Sequence, residues 1–256
     1  MITVSERLRT IAEKVPPGSA VADIGTDHAL LPVFLALGGR IRRAVAGDVR
    51  DGPIEAARQQ VARAGLEQIV EIRKGDGLRV LEPGEADCVV IAGMGGPLIR
   101  RILEEGKERL AGARRLILQP NTGGEQVRGW LKDNGWRLVG EEMLEEGGQI
   151  YEILIGEPAG RGSADGDPLY RDYRLPCGAK VDEDLLLRMG PHLLRKADGV
   201  FLKKWRAEKE KLDEICLRVR LSRTEEARRR LGQLEDLRNR IGEVLRCIQK
   251  GKPSSG

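Results

Sequence analysis

The chain has 256 residues, of which 40% are hydrophobic and 33% are charged, and its formal net charge is +4. This composition predicts a soluble globular protein of one or two domains. Charged residues interrupt the N-terminal segment 1–15, which excludes a signal peptide or a membrane span there. The four cysteines are dispersed without CxxC spacing, so we expect no disulfide framework, no metal site and a cytoplasmic protein.

From residue 20 to 120 the chain alternates short apolar runs with helical patterns. Five strands are predicted by the runs "SAVADIG", "RRAVAGDV", "QIVEIRKGD", "ADCVVIAGMGG" and "RRLILQPN", each of which enters a turn at its C-terminal end. The segments between them place apolar residues three or four apart, which indicates helices. We therefore expect an α/β fold, a parallel sheet with helices on both faces. An antiparallel hairpin at one sheet edge is predicted by "WRLVGEEMLEEGGQIYEILIGE".

The remaining chain has another pattern, and we place a domain boundary near Pro158, giving domains 1–158 and 159–256. Two long helices with apolar residues near heptad positions are predicted by "VFLKKWRAEKEKLDEICLRVRL" and "TEEARRRLGQLEDLRNRIGEVLRCIQK". A short break between them favours an antiparallel coiled-coil hairpin.

Polar residues or glycines come at the end of each predicted strand, where ligands bind in open parallel sheets. They are Asp23, Gly25, Asp27 and His28 at the first strand, Asp48 at the second, "GDG" (75–77) at the third, "GMGG" (93–96) after the fourth and "QPN" (119–121) after the fifth. Each has an ordinary alternative as a helix cap, a turn or a packing glycine. Their occurrence at successive strand ends favours a ligand site.

The residue types at these ends favour an adenosine ligand with a cationic tail. Asp48 is suited to accept hydrogen bonds from ribose hydroxyls, and Asp76 is suited to receive an adenine amino group. Gly25 permits close approach of the main chain. The carboxylates of the first turn repel phosphate, and the chain lacks a G-x-G-x-x-G fingerprint. S-adenosylmethionine therefore fits better than NAD.

The order of several segments is similar to that of the TrmK family, the bacterial tRNA (adenine-22-N1) methyltransferases. The segments are "VADIGTDHALLP", "AGDVRDGPIEAA", "GDGL", "IAGMGG", "LILQPN", "VRGWL" and "YEILIGE". This resemblance, over about residues 5 to 156, implies a Rossmann-like class I methyltransferase domain with a mostly parallel seven-stranded sheet. It also implies S-adenosylmethionine as methyl donor and the D-arm region of tRNA as substrate.

The residues and the resemblance together suggest roles for the site. We assign cofactor binding to Asp23, Gly25, Asp48, Val49, Gly75, Asp76, Gly77, Gly93, Met94 and Gly95. N1 of adenine already has a lone pair, so catalysis requires alignment and stabilisation of the positive charge that forms on the purine. We assign these tasks to Asp27, His28 and Asn121. Gly93 to Gly96 and Gln119 to Asn121 are expected to line the reaction face.

The expected partner is tRNA, without a membrane, for a monomer or weak dimer. Residues 198–252 hold 16 basic and 10 acidic residues, which suits RNA phosphates, although on charge alone a solvated helix surface is simpler. We predict that phosphates of the RNA are contacted near the hairpin tip by residues drawn from Lys203, Lys204, Arg218, Arg220, Arg223 and Arg228 to Arg230. Alternatives are a protein-interaction arm, a methyltransferase for another RNA, and a non-catalytic RNA-binding or scaffold protein with a vestigial pocket.

Overall fold

The computed structural model describes residues 2–160, 167–221 and 224–251. The chain divides into two units, Met1–Asp165 and Gly166–Gly256. The last strand of the first unit ends at Pro158, where the sequence predicts the domain boundary. Ser222 and Arg223, in the predicted break between the long helices, lie outside the described residues.

One seven-stranded sheet forms the centre of the first unit. Its strands are β1 (Ser19–Ile24), β2 (Ile41–Asp48), β3 (Val70–Lys74), β4 (Cys88–Gly95), β5 (Arg115–Thr122), β6 (Trp136–Glu146) and β7 (Gln149–Pro158). They lie in the order β3-β2-β1-β4-β5-β7-β6. β1 to β5 are parallel, whereas β7 runs antiparallel to both β5 and β6. The predicted parallel sheet with an antiparallel hairpin at one edge is confirmed.

Helices connect and cover the strands. They are α1 (Glu6–Lys14), α2 (Leu30–Leu37), α3 (Asp51–Ala64), α4 (Gly96–Glu105) and α5 (Gly124–Asp133). Every residue of β1 is buried, as expected for a central parallel strand covered on both faces. The order of strands reverses around β1, which pairs with both β2 and β4. Ligands in such sheets bind beyond the carboxyl ends of the strands at this reversal.

β4 and β5 extend further than the sequence predicts. Gly93 to Gly95 lie within β4, and Gln119 to Asn121 lie within β5, so the prediction that these residues follow the strands is wrong. Pairing between the two strands continues past a register shift between Ala92 and Met94. This bulge accommodates Gly93 at a φ of 78°, a conformation that glycine adopts easily. The glycine-rich segment is therefore bulged strand and not a turn.

A buried ion-pair cluster anchors α5 to the edge hairpin. The Arg128 guanidinium donates to Glu141 at 2.6 Å and to Glu152 at 2.7 Å, and its side chain has no exposed surface. Removing one member of such a cluster typically costs about 3–5 kcal/mol because the remaining charges stay buried without their partner. The cluster fixes the helix that follows the end of β5.

The second unit contains short elements followed by two long helices. These elements are β8 (Tyr173–Arg174), β9 (Lys180–Val181), α6 (Glu183–Met189), α7 (Pro191–Lys196), α8 (Gly199–Arg220) and α9 (Glu225–Gly251). Arg220 of α8 pairs with Glu235, and Asp213 of α8 pairs with Arg238. Because partners further along α9 lie earlier in α8, the helices are antiparallel. The predicted helical hairpin is present, and its supercoiling stays a prediction.

A disulfide joins Cys177 to Cys247, whose Cα atoms are 5.6 Å apart. The prediction that the dispersed cysteines form no disulfide is therefore wrong for this pair. Their sequence separation of 70 residues gives no indication that α9 packs against the loop before β9. Cys88 and Cys216 are free and buried. The cysteine pattern consequently gives no support to the predicted cytoplasmic location.

Among the described residues, no helix has both the length and the apolar character that crossing a bilayer requires.

Candidate active site

A cavity of about 400 Å³ lies at the carboxyl ends of β1, β4 and β5. Its volume is in the range of small-molecule sites. Predicted site residues in its lining are Asp23, Gly25, Asp27, Gly93 and Asn121. Lining residues that sequence reasoning missed are Arg7, Leu8, Thr26, Leu30, Leu31, Arg50, Ala92 and Tyr151. The structure therefore brings together the ends of the first, fourth and fifth strands.

The turn after β1 is held against the end of β2. The backbone N–H groups of Gly25 and Thr26 both donate to the Gly47 carbonyl, at 2.8 and 3.0 Å. The Thr26 hydroxyl donates to Asp23 Oδ2 at 2.6 Å. Gly25 has a φ of 76°, which few other residues adopt without strain. These bonds fix the Asp23 carboxyl beside the cavity.

Asp23 is the titratable group most clearly perturbed in the cavity. Burial raises its pKa to about 6, against a lowering by the Thr26 hydrogen bond; Asp27 raises the pKa further and Arg7 lowers it. A carboxyl that burial makes difficult to ionise becomes easier to ionise when a cation binds beside it. The surroundings of Asp23 therefore favour a ligand with a positively charged amino group.

Asp27 and His28 form the exposed side of the same turn. The His28 Nε2 atom lies 3.5 Å from Asp27 Oδ1, and both side chains are mostly exposed. Asp27 lines the cavity, whereas His28 does not. His28 and Ala29 have φ values of 54° and 51°, a conformation that costs of order 1–3 kcal/mol for each non-glycine residue and is enriched at functional sites. The strain marks this turn as a candidate for chemistry.

The ends of β2 and β3 form an adjoining part of the same sheet edge. Asp48 is buried and its Oδ1 accepts from the Arg50 N–H at 2.8 Å. Its Oδ2 makes no hydrogen bond within the described ranges of the chain. The Gly75 N–H donates to the Asp48 carbonyl at 3.1 Å. Val49 is 57% exposed and Asp76 is also exposed. A ligand at this edge would therefore meet Asp48 Oδ2, the apolar surface of Val49 and the carboxylate of Asp76.

The glycines beside Asp76 have a packing explanation. A Cβ at Gly75 would lie 2.7 Å from Val80 Cγ1, and a Cβ at Gly77 would lie 3.1 Å from Ile102 Cγ2. The chain turns there into a short 3₁₀ helix, Gly77–Val80. The two glycines are therefore required by the fold, and their assignment to cofactor binding stays a prediction.

Met94 covers the turn after β1. A Cβ at Gly25 would lie 1.9 Å from Met94 Cε, so a side chain at position 25 would displace the flexible end of Met94. Met94 and Gly95 are partly buried and do not line the cavity, whereas Gly93 does. The bulged segment thus borders the cavity through Gly93 and packs on its wall through Met94.

A closed hydrogen-bond network lies between β4 and β5. Gln119 Oε1 accepts from Arg7 Nη1 at 2.7 Å and from the Gly93 N–H at 3.1 Å. Gln119 Nε2 donates to Asn121 Oδ1 at 3.0 Å, and Asn121 Nδ2 donates to the Gly93 carbonyl at 2.9 Å. Arg7 also lies 5.3 Å from the centre of the Tyr151 ring. Arg7 is 112 residues from Gln119, and no sequence pattern connects them.

Comparison with known proteins gives a consistent family. Residues 21–244 match the family model TrmK, tRNA (adenine(22)-N(1))-methyltransferase. The chain is 40% identical over 245 residues to the tRNA (adenine(22)-N(1))-methyltransferase of Bacillus subtilis, covering 95% of this chain and 98% of that protein.

Solved structures agree with this match. The crystal structure of the B. subtilis M1A22 tRNA methyltransferase TrmK has a TM-score of 0.86 and 40% identity, covering 96% of this chain and all of that one. A Streptococcus pneumoniae structure in complex with S-adenosyl-L-methionine has a TM-score of 0.78 and 36% identity, covering 95% of this chain and all of that one.

Proposed function

Because the chain belongs to the TrmK family of tRNA (adenine(22)-N(1))-methyltransferases, we infer that it transfers a methyl group from S-adenosylmethionine to N1 of adenine 22 in tRNA. The observation that carries this inference is the cavity at the sheet reversal, which is lined by a buried carboxyl with a raised pKa. Asp48 and Asp76 do not line this cavity but stand at the ends of β2 and β3, on the same edge of the sheet. The D-arm region as the docking position, a monomer or weak dimer, and a cytoplasmic location are further parts of this proposal.

The residues present fit S-adenosylmethionine. Asp23 is placed to accept hydrogen bonds from an ammonium group, and Asp48 has an oxygen available for ribose hydroxyls. Asp76 and the exposed Val49 suit the amino group and the face of an adenine ring. When bound, this cofactor supplies an electrophilic methyl group. A dinucleotide fits less well because phosphates would meet the carboxylates of the first turn.

We assign the chemistry to the turn after β1 and to the end of β5. Adenine N1 attacks with its own lone pair, so the protein provides alignment and electrostatic stabilisation rather than a strong base. Positive charge then develops on the purine, and Asp27, exposed at the cavity, is placed to stabilise it. His28 lies beside Asp27 and orients it or the base. Asn121, exposed at the same cavity, offers a hydrogen bond to the adenine edge.

Nucleoside analysis tests this function directly. Unmodified tRNA is incubated with the full chain and S-adenosylmethionine, and the methylated nucleoside is identified and its position mapped by mass spectrometry. We expect 1-methyladenosine at position 22 and none in a tRNA carrying another base there. Methylation of a different RNA would favour the alternative substrate class. Absence of both methylation and cofactor binding by calorimetry would favour a scaffold protein.

We further propose that the helical hairpin of the second unit binds tRNA phosphates. Arg228, Arg229 and Arg230 are exposed and have no ion-pair partner in the parts of the chain that the structure describes. In contrast, Arg218 and Arg220 pair with Glu214 and Glu235. The triple-arginine segment is therefore the best-supported part of the predicted tip contacts.

A second basic surface lies along the hairpin, away from its tip. A cavity of about 410 Å³ is lined by Arg206, Lys209, Arg238 and Arg246, among others. Lys209 and Arg238 share Asp213, at 2.9 and 3.2 Å. Arg206 and Arg246 are exposed and have no ion pair with any described residue. Phosphate oxygens are suitable partners for such unpaired guanidinium groups.

The salt dependence of tRNA binding tests the hairpin's role. Replacing Arg228, Arg229 and Arg230 together by Gln should weaken tRNA binding. It should also reduce the slope of log affinity against log salt by about 2–3, because a complex with fewer phosphate contacts releases fewer counterions when it forms. S-adenosylmethionine affinity should not change. The matched control replaces Arg218, already ion-paired, by Gln. An unchanged salt slope in the triple variant would instead favour a protein-interaction or assembly role.

A further inference from the structure

We propose that Gln119 and Arg7 are positioning residues that fix the amide of Asn121, so that its oxygen recognises the N6 amino group of the target adenine. This inference rests on the proposed methyl transfer to adenine N1. Gln119 is completely buried in β5, whereas Asn121 is exposed at the cavity two residues later. The contact with substrate is therefore assigned to Asn121, and Gln119 acts through it.

The bulge in β4 explains why these amides are present. Gly93 falls at the register shift between β4 and β5, where the regular ladder does not pair its backbone groups. The Gln119 side chain accepts from the Gly93 N–H, and the Asn121 side chain donates to the Gly93 carbonyl. Two side-chain amides thus replace missing ladder hydrogen bonds and tie Asn121 to the strand beside the cavity.

Arg7 and the Gly93 N–H together determine the direction of the network. The Gln119 oxygen faces two donors, Arg7 Nη1 and the Gly93 N–H, so a reversed amide would place its NH₂ group against both. The NH₂ group of Gln119 must therefore point to Asn121 Oδ1. Asn121 in turn must direct its NH₂ group to the Gly93 carbonyl. The orientation of the exposed amide is consequently imposed by the Gly93 backbone and, through Gln119, by an arginine that the amide does not touch.

A fixed amide in this orientation has a specific use. After these bonds, Asn121 retains one lone pair on Oδ1 and one N–H for a ligand. An oxygen acceptor matches the N6 amino group of adenine and would repel the O6 carbonyl of guanine. If the amide rotated freely, its NH₂ group would at times face the N6 amino group, which places donor against donor. Fixing the amide therefore favours adenine.

Gln119→Glu isolates this role. The new carboxylate still accepts from Arg7 and Gly93, so its charge is paired, but it cannot donate to Asn121. Each variant is assayed on tRNA with adenosine at position 22 and on the same tRNA with purine riboside there, which keeps N1 and lacks the N6 amine. We expect kcat on adenosine to fall by about tenfold or more, with the preference for adenosine over purine riboside lost to a similar extent. The KM for S-adenosylmethionine should change little.

A double-mutant cycle shows whether Gln119 acts through Asn121. In an Asn121→Ala background, Gln119→Glu should cause little further loss. Gln149→Glu, at an exposed position of the edge hairpin, is the matched control and should behave as the wild type. If Gln119→Glu does not fold, Arg7→Met takes its place in the same cycle, with the same expectation for kcat and for the preference for adenosine. The KM for S-adenosylmethionine is not compared for this variant, because Arg7 also lowers the pKa of Asp23.

The outcomes separate the two levels of inference. A wild-type chain that forms no 1-methyladenosine overturns the proposed function itself. A wild type that is active, with additive losses in the cycle or an unchanged preference for adenosine in the Gln119 variant, overturns the positioning role alone.

Discussion

Replacing Asp23 by Asn should stabilise the cofactor-free protein while weakening cofactor binding. The side chain is buried and its pKa is raised from 3.8 to about 6, mainly by burial. Each tenfold change in proton affinity corresponds to about 1.4 kcal/mol, so ionised Asp23 costs up to about 3 kcal/mol of folding stability at neutral pH. Asn lacks this cost, and its oxygen still accepts from the Thr26 hydroxyl, which now donates at 2.6 Å.

The expected gain depends on pH in a defined direction. Well below pH 3.8 the carboxyl is protonated in both folded and unfolded chains, so wild type and variant should be equally stable. Between about pH 4 and 6 the unfolded chain has released this proton while the folded state still binds it, so wild-type stability falls as the pH rises and levels off once the folded carboxyl is ionised as well. The variant has no such loss, and the difference should therefore reach its full value of up to about 3 kcal/mol above pH 7.

Denaturant unfolding between pH 4 and 8, with and without S-adenosylmethionine, measures both effects. In the measurements without cofactor, Asp76→Asn is the control, because Asp76 is an exposed carboxylate and its replacement should change stability by less than about 0.5 kcal/mol. Saturating cofactor should stabilise the wild type more than the Asp23 variant. If the stability gain of Asp23→Asn does not vary with pH, or if there is no gain, the carboxyl of Asp23 is not held at a raised pKa for a cationic ligand, and the reasoning is refuted.

Three other predictions concern Asp48, the turn after β1 and the disulfide of the second unit. Asp48→Ala should weaken S-adenosylmethionine binding in calorimetry by about 1.5–3 kcal/mol; unchanged affinity would leave Asp48 as a turn residue that binds the Arg50 N–H. Asp27→Ala and His28→Ala should each lower single-turnover methyl transfer more than cofactor affinity, and near-normal turnover in both would remove the turn from the chemistry. Cys177→Ser should destabilise the second unit by about 4 kcal/mol in the absence of reductant, the loop-entropy value for the separation of 70 residues from Cys247. A wild type whose unfolding is insensitive to reductant would contradict this last expectation.

The sequence determined the architecture of the first unit because its signals are local. Alternating apolar runs and helical periodicity specify strands and helices within short windows, and right-handed crossovers then allow few sheets. The acidic residues at the first two strand ends were identifiable for the same reason. Asp23 and Asp48 stand at the ends of apolar runs, and parallel strands bring such ends to one edge. The helical hairpin also follows from periodicity within single segments.

Other features depend on contacts between distant residues, and only the tertiary structure decided them. Arg7 reaches Gln119 across 112 residues, and Cys177 meets Cys247 across 70; neither pair has a local pattern. The strain at His28 and the bulge at Gly93 are backbone conformations that residue type alone does not reveal. The raised pKa of Asp23 likewise arises from burial by surrounding elements. The spacing of apolar residues indicates which face of a single helix or strand is buried. The pKa values and hydrogen bonds of a site depend instead on groups from distant parts of the chain, which only folding brings within a few ångströms of one another.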